Sequence, residues 1–596
     1  MTFACPNGGD LVIQCGVQVY SALVPFLTQA VAAGPDPAAA GTARVLVASN
    51  RGPVAFSLSE TGTLTARRGS GGLVSGMQEV IREAAEAGEA ADGGTLGPGE
   101  PPSGIVWVCA ALSDADRHAT RLAPDGRLDR AGFDTAGAAI RMLDVDRVVF
   151  DRAYNGVANR TLWFVLHLLF APATEPSFGA AFWRDWEAYE TYNAMFADAL
   201  ALEAAQGAAV LVQDYHLMLV PGLLRKLRPD LRISHFTHTP WAPPDYFRIL
   251  PDRVSRAVIG GMLGADRLGF LTARWATAFR DCARVLLGDG VDIERIDLGP
   301  GGLADDGPEG EAAADHRPAA ITLPRPVRWP REEMASGSAG RAGDDRPDQP
   351  GHQVRIGVHP LGVDAAALRA RAGAADVLAR AAELREEIGD RHLIVRVDRT
   401  ELSKNIVRGL EAYRELLRAH PDWHGKVMHL VCAYPSRHDL PEYREYTASV
   451  QRVATEIEDE FATDSWLPLR LEVTDDYPRS LAALTLADVL VVNPIRDGMN
   501  LIAKEGPTVS DRDVVLILSQ EAGAYAELGP DALIVNPYDV SQTAQAMDAA
   551  LRMPPAERRR RAARIAALAA RLPPGDWFRQ QLAALPAPQA GAVLLG

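Results

Sequence analysis

The sequence predicts an α/β protein of two Rossmann-like domains whose parallel sheets face a cleft. Three observations carry this. Apolar runs alternate with helical patterns up to about residue 300 and again from 354 onward. The runs are continuous in Val, Leu and Ile, as in strands buried on both faces of a parallel sheet. Between the two series, residues 301–353 are rich in Gly, Pro, Ala and acids and keep no period, which reads as a disordered insertion. A chain of 596 residues holds two or more domains at roughly 100–200 residues each.

Residues 1–43 carry no Lys or Arg. The basic start of a signal peptide is missing, and Gln14, Gln18, Pro25 and Gln29 interrupt the apolar stretch, so a poorly ordered extension is expected there. Strands follow at 44–50, 104–109, 209–213, 233–237 and 267–272, with an amphipathic helix over 183–206. A strand at 354–358 is expected to open the second series, which continues at 393–397, 427–432, 469–473, 489–492, 514–518 and 532–535. Ile406, Leu410, Tyr413 and Leu417 share one face of a helix over 405–419. The segment 554–585 reads as helical, its arginines a solvated face.

Hydrophobic residues make up 47% and charged residues 23%, ordinary for a globular protein. A net charge of -16 repels nucleic acid and anionic lipid, so neither is an expected partner. Five scattered cysteines without a CxxC pair suit a reducing, cytoplasmic compartment and no zinc site or disulfide framework. No HExxH, no DxD-type acidic pair at the end of an expected strand, no Cys/His cluster, Walker loop or nucleophile elbow is visible, so neither metal nor cofactor is expected.

The chemistry gathers at strand ends, where open α/β sheets bind ligands. The run 487–494 leads into Arg496-Asp497-Gly498-Met499-Asn500-Leu501 and then Glu505. A strand, a glycine turn and a helix start make an anion site, and two acids beside it can hold hydroxyls. That combination suits a sugar nucleotide; an ordinary turn with a solvated acidic pair fits the segment equally. Gly72 would let backbone approach a phosphate, and Arg51 could clamp a second one as a planar fork. Asp214 and His238 end adjacent strands and could hold sugar hydroxyls, or simply pair locally. Arg399, Lys404 and Arg437 are cations at strand ends. They suit a diphosphate and could stabilise charge on a leaving group without a metal.

Nine ordered blocks, SNRGPV, GGLVSG, YNGVANRTLW, VQDYHLMLVP, HTPWAPPDYFRILP, VDRTELSKN, YPSR, RDGMNLIAKE and VNPYDV, resemble the trehalose-6-phosphate synthases. These are retaining glycosyltransferases of GT-B fold. The resemblance runs from about Arg44 to Leu585. It implies an acceptor domain over 44–300, the insertion 301–353, a nucleotide-sugar domain over 354–573, and a C-terminal helix at 574–596 returning to the first domain. It implies glucose transfer from UDP- or GDP-glucose to glucose 6-phosphate, with retention and without a metal. Arg51, Tyr154, Trp163, Asp214 and Arg437 would bind the acceptor. Gly72, Arg399, Lys404, Asp497, Gly498, Met499, Asn500, Leu501 and Glu505 would bind the donor. His238 would stand at the reacting centre, and His238, Arg399, Lys404 and Asp497 would be the catalytic set.

Two departures stand out. The family's Trp-x-Gly-Trp is here Trp107-Val108-Cys109-Ala110, so an acceptor-side aromatic is missing. Its Leu-Asp-Tyr after the cradle arginine is Thr400-Glu401-Leu402, and its Gly after the lysine is Asn405. The second departure tilts the expectation toward GDP-glucose. The first keeps open a related synthase with a cyclitol phosphate or glycerol phosphate acceptor. A silent regulatory subunit should have lost cradle residues that this chain keeps. No phosphatase segment follows, so the product is expected to keep its phosphate. Oligomeric state is left open, a homo-oligomer included.

Overall fold

A computed structural model of the chain describes residues 41–59, 63–68, 104–135, 137–288 and 352–587, with the backbone of three short strands between the last two stretches. Residues 1–40 and the Gly71-Gly72 pair lie outside the described residues. The strands, in chain order, begin with β1 (Ala43–Ala48), β2 (Val54–Leu58), β3 (Leu64–Arg68), β4 (Ile105–Ala110), β5 (Ala139–Leu143), β6 (Ala204–Gln213), β7 (Arg232–Thr237) and β8 (Arg267–Phe270). They continue with β9 (Asp292–Ile293), β10 (Ile296–Asp297), β11 (Ala320–Thr322), β12 (Gln353–Val358), β13 (His392–Arg399) and β14 (Val427–Tyr434). The series ends with β15 (Leu469–Glu472), β16 (Val489–Val492), β17 (Val515–Ser519) and β18 (Leu533–Val535).

Two sheets carry the molecule. The first runs β5-β4-β1-β6-β7-β8-β12-β11-β9, and the second β15-β14-β13-β16-β17-β18. Every pair in the second sheet is parallel. So are the first sheet's pairs from β5 to β12. Both orders reverse direction at their middle, between β1 and β6 in one and between β13 and β16 in the other. Such a reversal opens a crevice outside the strand carboxyl ends, because the connections on its two sides leave in opposite directions. The apolar runs make this burial two-sided: all six residues of β4 and all four of β16 are buried. A hairpin of β2 and β3 stands apart from both sheets.

Two expectations need correction. The strand at 354–358 does not open the second sheet. It is β12, paired in parallel with β8 through Arg355↔Arg267 to Val358↔Phe270. Its apolar run is the same as that of any buried strand, so only the pairing assigns it. Within the expected disordered insertion, Ala320–Thr322 is a strand that pairs antiparallel with β12.

The chain therefore passes to the second sheet only after β12. The segments that cross are bonded to each other: Gly362 N–H donates to Leu572 O at 2.9 Å and Val363 N–H to Ala569 O at 3.0 Å. The expected tail is two helices, Pro555–Ala569 and Pro574–Ala583. The second returns to the first sheet. There Trp577 meets Phe236 of β7 edge-on, with ring centroids 4.7 Å apart, and donates Nε1–H to His359 O at 3.0 Å.

Candidate active site

The site is assembled from strand ends of both sheets. On the first, the helix Ala180–Glu203 acts as a brace. Its Tyr192 hydroxyl donates to Asn50 Oδ1 at 2.6 Å, its Tyr189 hydroxyl to Tyr215 O at 2.7 Å, and its Asn193 amide to His216 O at 3.2 Å. These bonds fix the turns after β1 and β6. Asp214 follows β6 with φ 68° and accepts from the His238 backbone N–H at 3.1 Å. Burial raises the Asp214 carboxyl to about 6. The His238 ring meets Gln213 Oε1 at 3.0 Å, and burial holds it near 4, so the imidazole is neutral.

Next to this pair lies an aromatic wall. An eleven-residue π-helix, Arg152–Leu162, presents Tyr154, whose ring stacks on His216 at 5.5 Å. Gly156 takes part in this packing, since a Cβ there would sit 2.8 Å from Asp185 Oδ2. The His216 ring is held near 3, first by burial and then by the charges of Arg437 and Arg51, which places both cations near it. Arg51 is exposed beyond the end of β1. Ala110, where the family carries Trp, is buried at the end of β4.

The second sheet faces this wall. Arg437 follows β14 with φ 47°, a strained conformation for a non-glycine residue. It reaches the first domain: its guanidinium lies 4.7 Å from the Trp163 ring centre, and Nη2 donates to the Tyr215 hydroxyl at 3.0 Å. Nη1 donates to the Tyr443 hydroxyl. After β13, Lys404 Nζ pairs with Asp497 Oδ2 at 2.5 Å. Burial disfavours the ammonium, but the carboxylates of Asp497 and Asp398 outweigh it and raise the lysine above its usual range. Asn500, at φ 68°, donates to the same Asp497 oxygen at 3.1 Å.

The turn after β16 touches the opposite domain. Gly498 O accepts from Trp275 Nε1 at 3.0 Å, and a Cβ on Gly498 would overlap the His238 carbonyl. Met499 is buried. Leu501 precedes the helix Ile502–Val509, which no side chain among the described residues caps. Glu505, in that helix's first turn, has its carboxyl raised to about 7 by burial. The helix's own Lys504 points elsewhere, to Leu361 O at 2.8 Å.

The structure thus brings together Asp214 with His238, Lys404 with Asp497, and Arg437 with Trp163. Gly72 is outside the described residues. The variant cradle turns inward: Thr400 Oγ1 donates to Tyr434 O at 2.9 Å, and the Asn405 amide to Asn493 O at 3.0 Å and Pro537 O at 2.7 Å. Both side chains thus spend these donors inside the second domain. Sequence reasoning missed Tyr215, Tyr443 and Trp275, apolar-looking positions whose polar tips matter only once the two sheets meet. It also saw in Glu401 a departure rather than a partner for cations.

The chain resembles several characterised proteins. It is 30% identical over 87% of its length to the bifunctional trehalose-6-phosphate synthase/phosphatase of Thermoproteus tenax, of which it spans 60%. It is 31% identical to a trehalose-6-phosphate synthase of Mycobacterium sp. (strain JLS), over 87% of this chain and 92% of the relative. It is also 31% identical to the validamine 7-phosphate valienyltransferase of Streptomyces hygroscopicus, over 82% and 86%. The solved E. coli trehalose-6-phosphate structure bound with UDP-2-fluoro glucose superposes with a TM-score of 0.69 at 24% identity, covering 91% of this chain and 98% of that one, which shows the GT-B fold. The model of glycosyltransferase family 20 matches residues 43–586, and the chain belongs to that family.

Proposed function

We propose that this chain transfers glucose from a nucleoside-diphosphate glucose to glucose 6-phosphate, with retention, giving α,α-trehalose 6-phosphate. The observation that carries the reading is the meeting of the two sheets' site residues: Arg437 of the second lies over Trp163 of the first, and the Gly498 turn beside Asp497 lies against the His238 carbonyl. The division of labour follows the two sheets, acceptor on 44–300 and nucleotide sugar on the second. The mycobacterial relative supports the reaction class.

Arg51, Arg437, Tyr154 and Trp163 would hold the acceptor phosphate, and Asp214 an acceptor hydroxyl. The uncapped amides at Leu501 and Ile502, with Gly498 and Met499, would meet the donor, since a helix start favours negative charge. Gly72 would add backbone contact to the phosphates. Asp497 would hold sugar hydroxyls and Glu505 the ribose. Neutral His238 would bond the donor sugar near the reacting carbon.

In the reaction the donor C1–O bond to phosphate breaks and a bond from C1 to the acceptor's anomeric oxygen forms on the same face. The acceptor proton passes to the departing phosphate oxygen, so no protein nucleophile is needed. Lys404 and Arg399 stabilise the diphosphate as its charge grows, work that asks for neither metal nor cofactor. Gly498 closing on His238 excludes water, which would otherwise hydrolyse the donor.

A second reading, a cyclitol phosphate acceptor, draws on Ala110 and on the valienyltransferase relative. The test is incubation of purified protein with GDP- or UDP-glucose and glucose 6-phosphate without added metal. Trehalose 6-phosphate supports the first reading and names the base. Nucleoside diphosphate release only with a cyclitol phosphate supports the second.

A further inference from the structure

Among the described residues, Glu401 is the most deeply buried acid at the site, its side chain 1% exposed. Its Oε1 lies 3.0 Å from Arg399 Nη1 and 4.0 Å from Arg437 Nη1, and accepts the Ser436 hydroxyl at 3.0 Å. Burial alone would keep this carboxyl protonated. Arg399, Arg437, Lys404 and Ser436 reverse that and hold it at about 2. It is therefore a buried anion at neutral pH, and one oxygen serves groups from the ends of both β13 and β14.

The backbone fixes the position of that oxygen. Thr400 N–H donates to Tyr434 O at 2.7 Å and Glu401 N–H to Arg399 O at 2.7 Å, so the turn is pinned to the neighbouring strand end. Arg399 is the looser partner, its side chain 55% exposed. A long exposed side chain loses rotamer freedom when it is held, and a fixed counter-charge pays that cost before the ligand arrives.

Resting on the function proposed above, we infer that Glu401 is a positioning residue that ties the two substrate pockets together. It aims Arg399 at the donor diphosphate and Arg437 at the acceptor phosphate, while it offsets part of their mutual repulsion in the empty site. The two arginines then share one anchor, so the sites are not independent.

The test is calorimetric titration of the full chain with pyrophosphate and, separately, glucose 6-phosphate, for wild type, Glu401→Gln and Glu401→Asp, with thermal melts alongside. Glu401→Gln is expected to weaken both ligands by roughly 10- to 100-fold, the range for a lost bond to a charged group. Glu401→Asp keeps the charge and is expected to recover most of that loss. In an Arg399→Ala background, Glu401→Gln should add little to the loss for pyrophosphate. Equal losses in Gln and Asp variants, no loss in either, or full additivity with Arg399→Ala overturns the inference. Wild type that binds neither anion overturns it too. Wild type that binds both with the expected variant pattern, yet makes no trehalose 6-phosphate, leaves Glu401 standing and sinks the functional reading instead.

Discussion

Single residues set the charges of this site, and burial sets many of their protonation states. Lys404 is a cation paired with Asp497, and removing it leaves Arg399 alone to stabilise the diphosphate in the proposed reaction. Lys404→Ala is expected to lower kcat by roughly 10²- to 10³-fold, as loss of one preorganised donor does elsewhere; near-normal turnover would end its role at the diphosphate. Arg51→Ala should mainly raise KM for glucose 6-phosphate, and an unchanged KM removes it from the acceptor site. Glu505 makes a pH prediction. Its carboxyl titrates at about 7 in the empty protein, and only its ionised form accepts from two ribose hydroxyls. Nucleoside diphosphate affinity is therefore expected to weaken as pH falls through 7, and Glu505→Gln should flatten that profile.

At the scale of elements, much was legible. The continuous apolar runs pick out most strands of the two sheets but miss β5 and the short β9, β10 and β11, and the 405–419 helix appears as Ile406–Ala419. What escaped needed long-range information. β12 has the composition of any buried strand, and only its register with β8 assigns it. The turn residues Asp214, Arg437 and Asn500 have positive φ, and nothing local in their sequence demands it. The π-helix went unpredicted, since no helical period was read over 152–162 and long π-helices are rare. The blocks that resemble a family supplied the candidate site residues, but singled out neither Glu401 as a cation partner nor Tyr443, whose contacts with Arg437 are purely spatial. The Gly498 turn offers a test at this scale. A Cβ there strikes backbone, which cannot yield as a side chain would, at a cost of about 1–3 kcal/mol. Gly498→Ala is expected to lower kcat/KM by roughly 5- to 150-fold with both domains folded by circular dichroism; full activity would show that the two domains need not close to this distance.

For the whole molecule, buried titrating groups decide the acid limb of stability. Burial, as the largest cause, holds His167, His216, His235 and His429 near 3 and His238 near 4. On unfolding each returns to about 6.5. Between pH 4 and 6.5 the unfolded chain therefore binds more protons at these five positions, so they make stability rise with pH. Asp214 and Glu505, raised to about 6 and 7, act in the opposite sense over the same window. Burial also raises Asp185, Asp198, Asp398 and Glu458, which act with those two, and lowers His352, which acts with the histidines. The large shifts belong mostly to the histidines, five against Asp214 and Glu505, so the melting temperature is expected to climb from pH 4 to 6.5. A flat or falling trend would contradict the neutral assignment of the histidines.

The path of the chain has a consequence in time. The first domain is not one contiguous stretch, because it takes its last helix, with Trp577, from beyond the second domain. As the chain leaves the ribosome, Phe236 of β7 lacks its Trp577 cover until the segment after the second sheet is made. The second domain is by then already long enough to fold. Completion of the earlier domain thus waits on the later one, and a nascent chain halted before Trp577 would expose the support beneath His238.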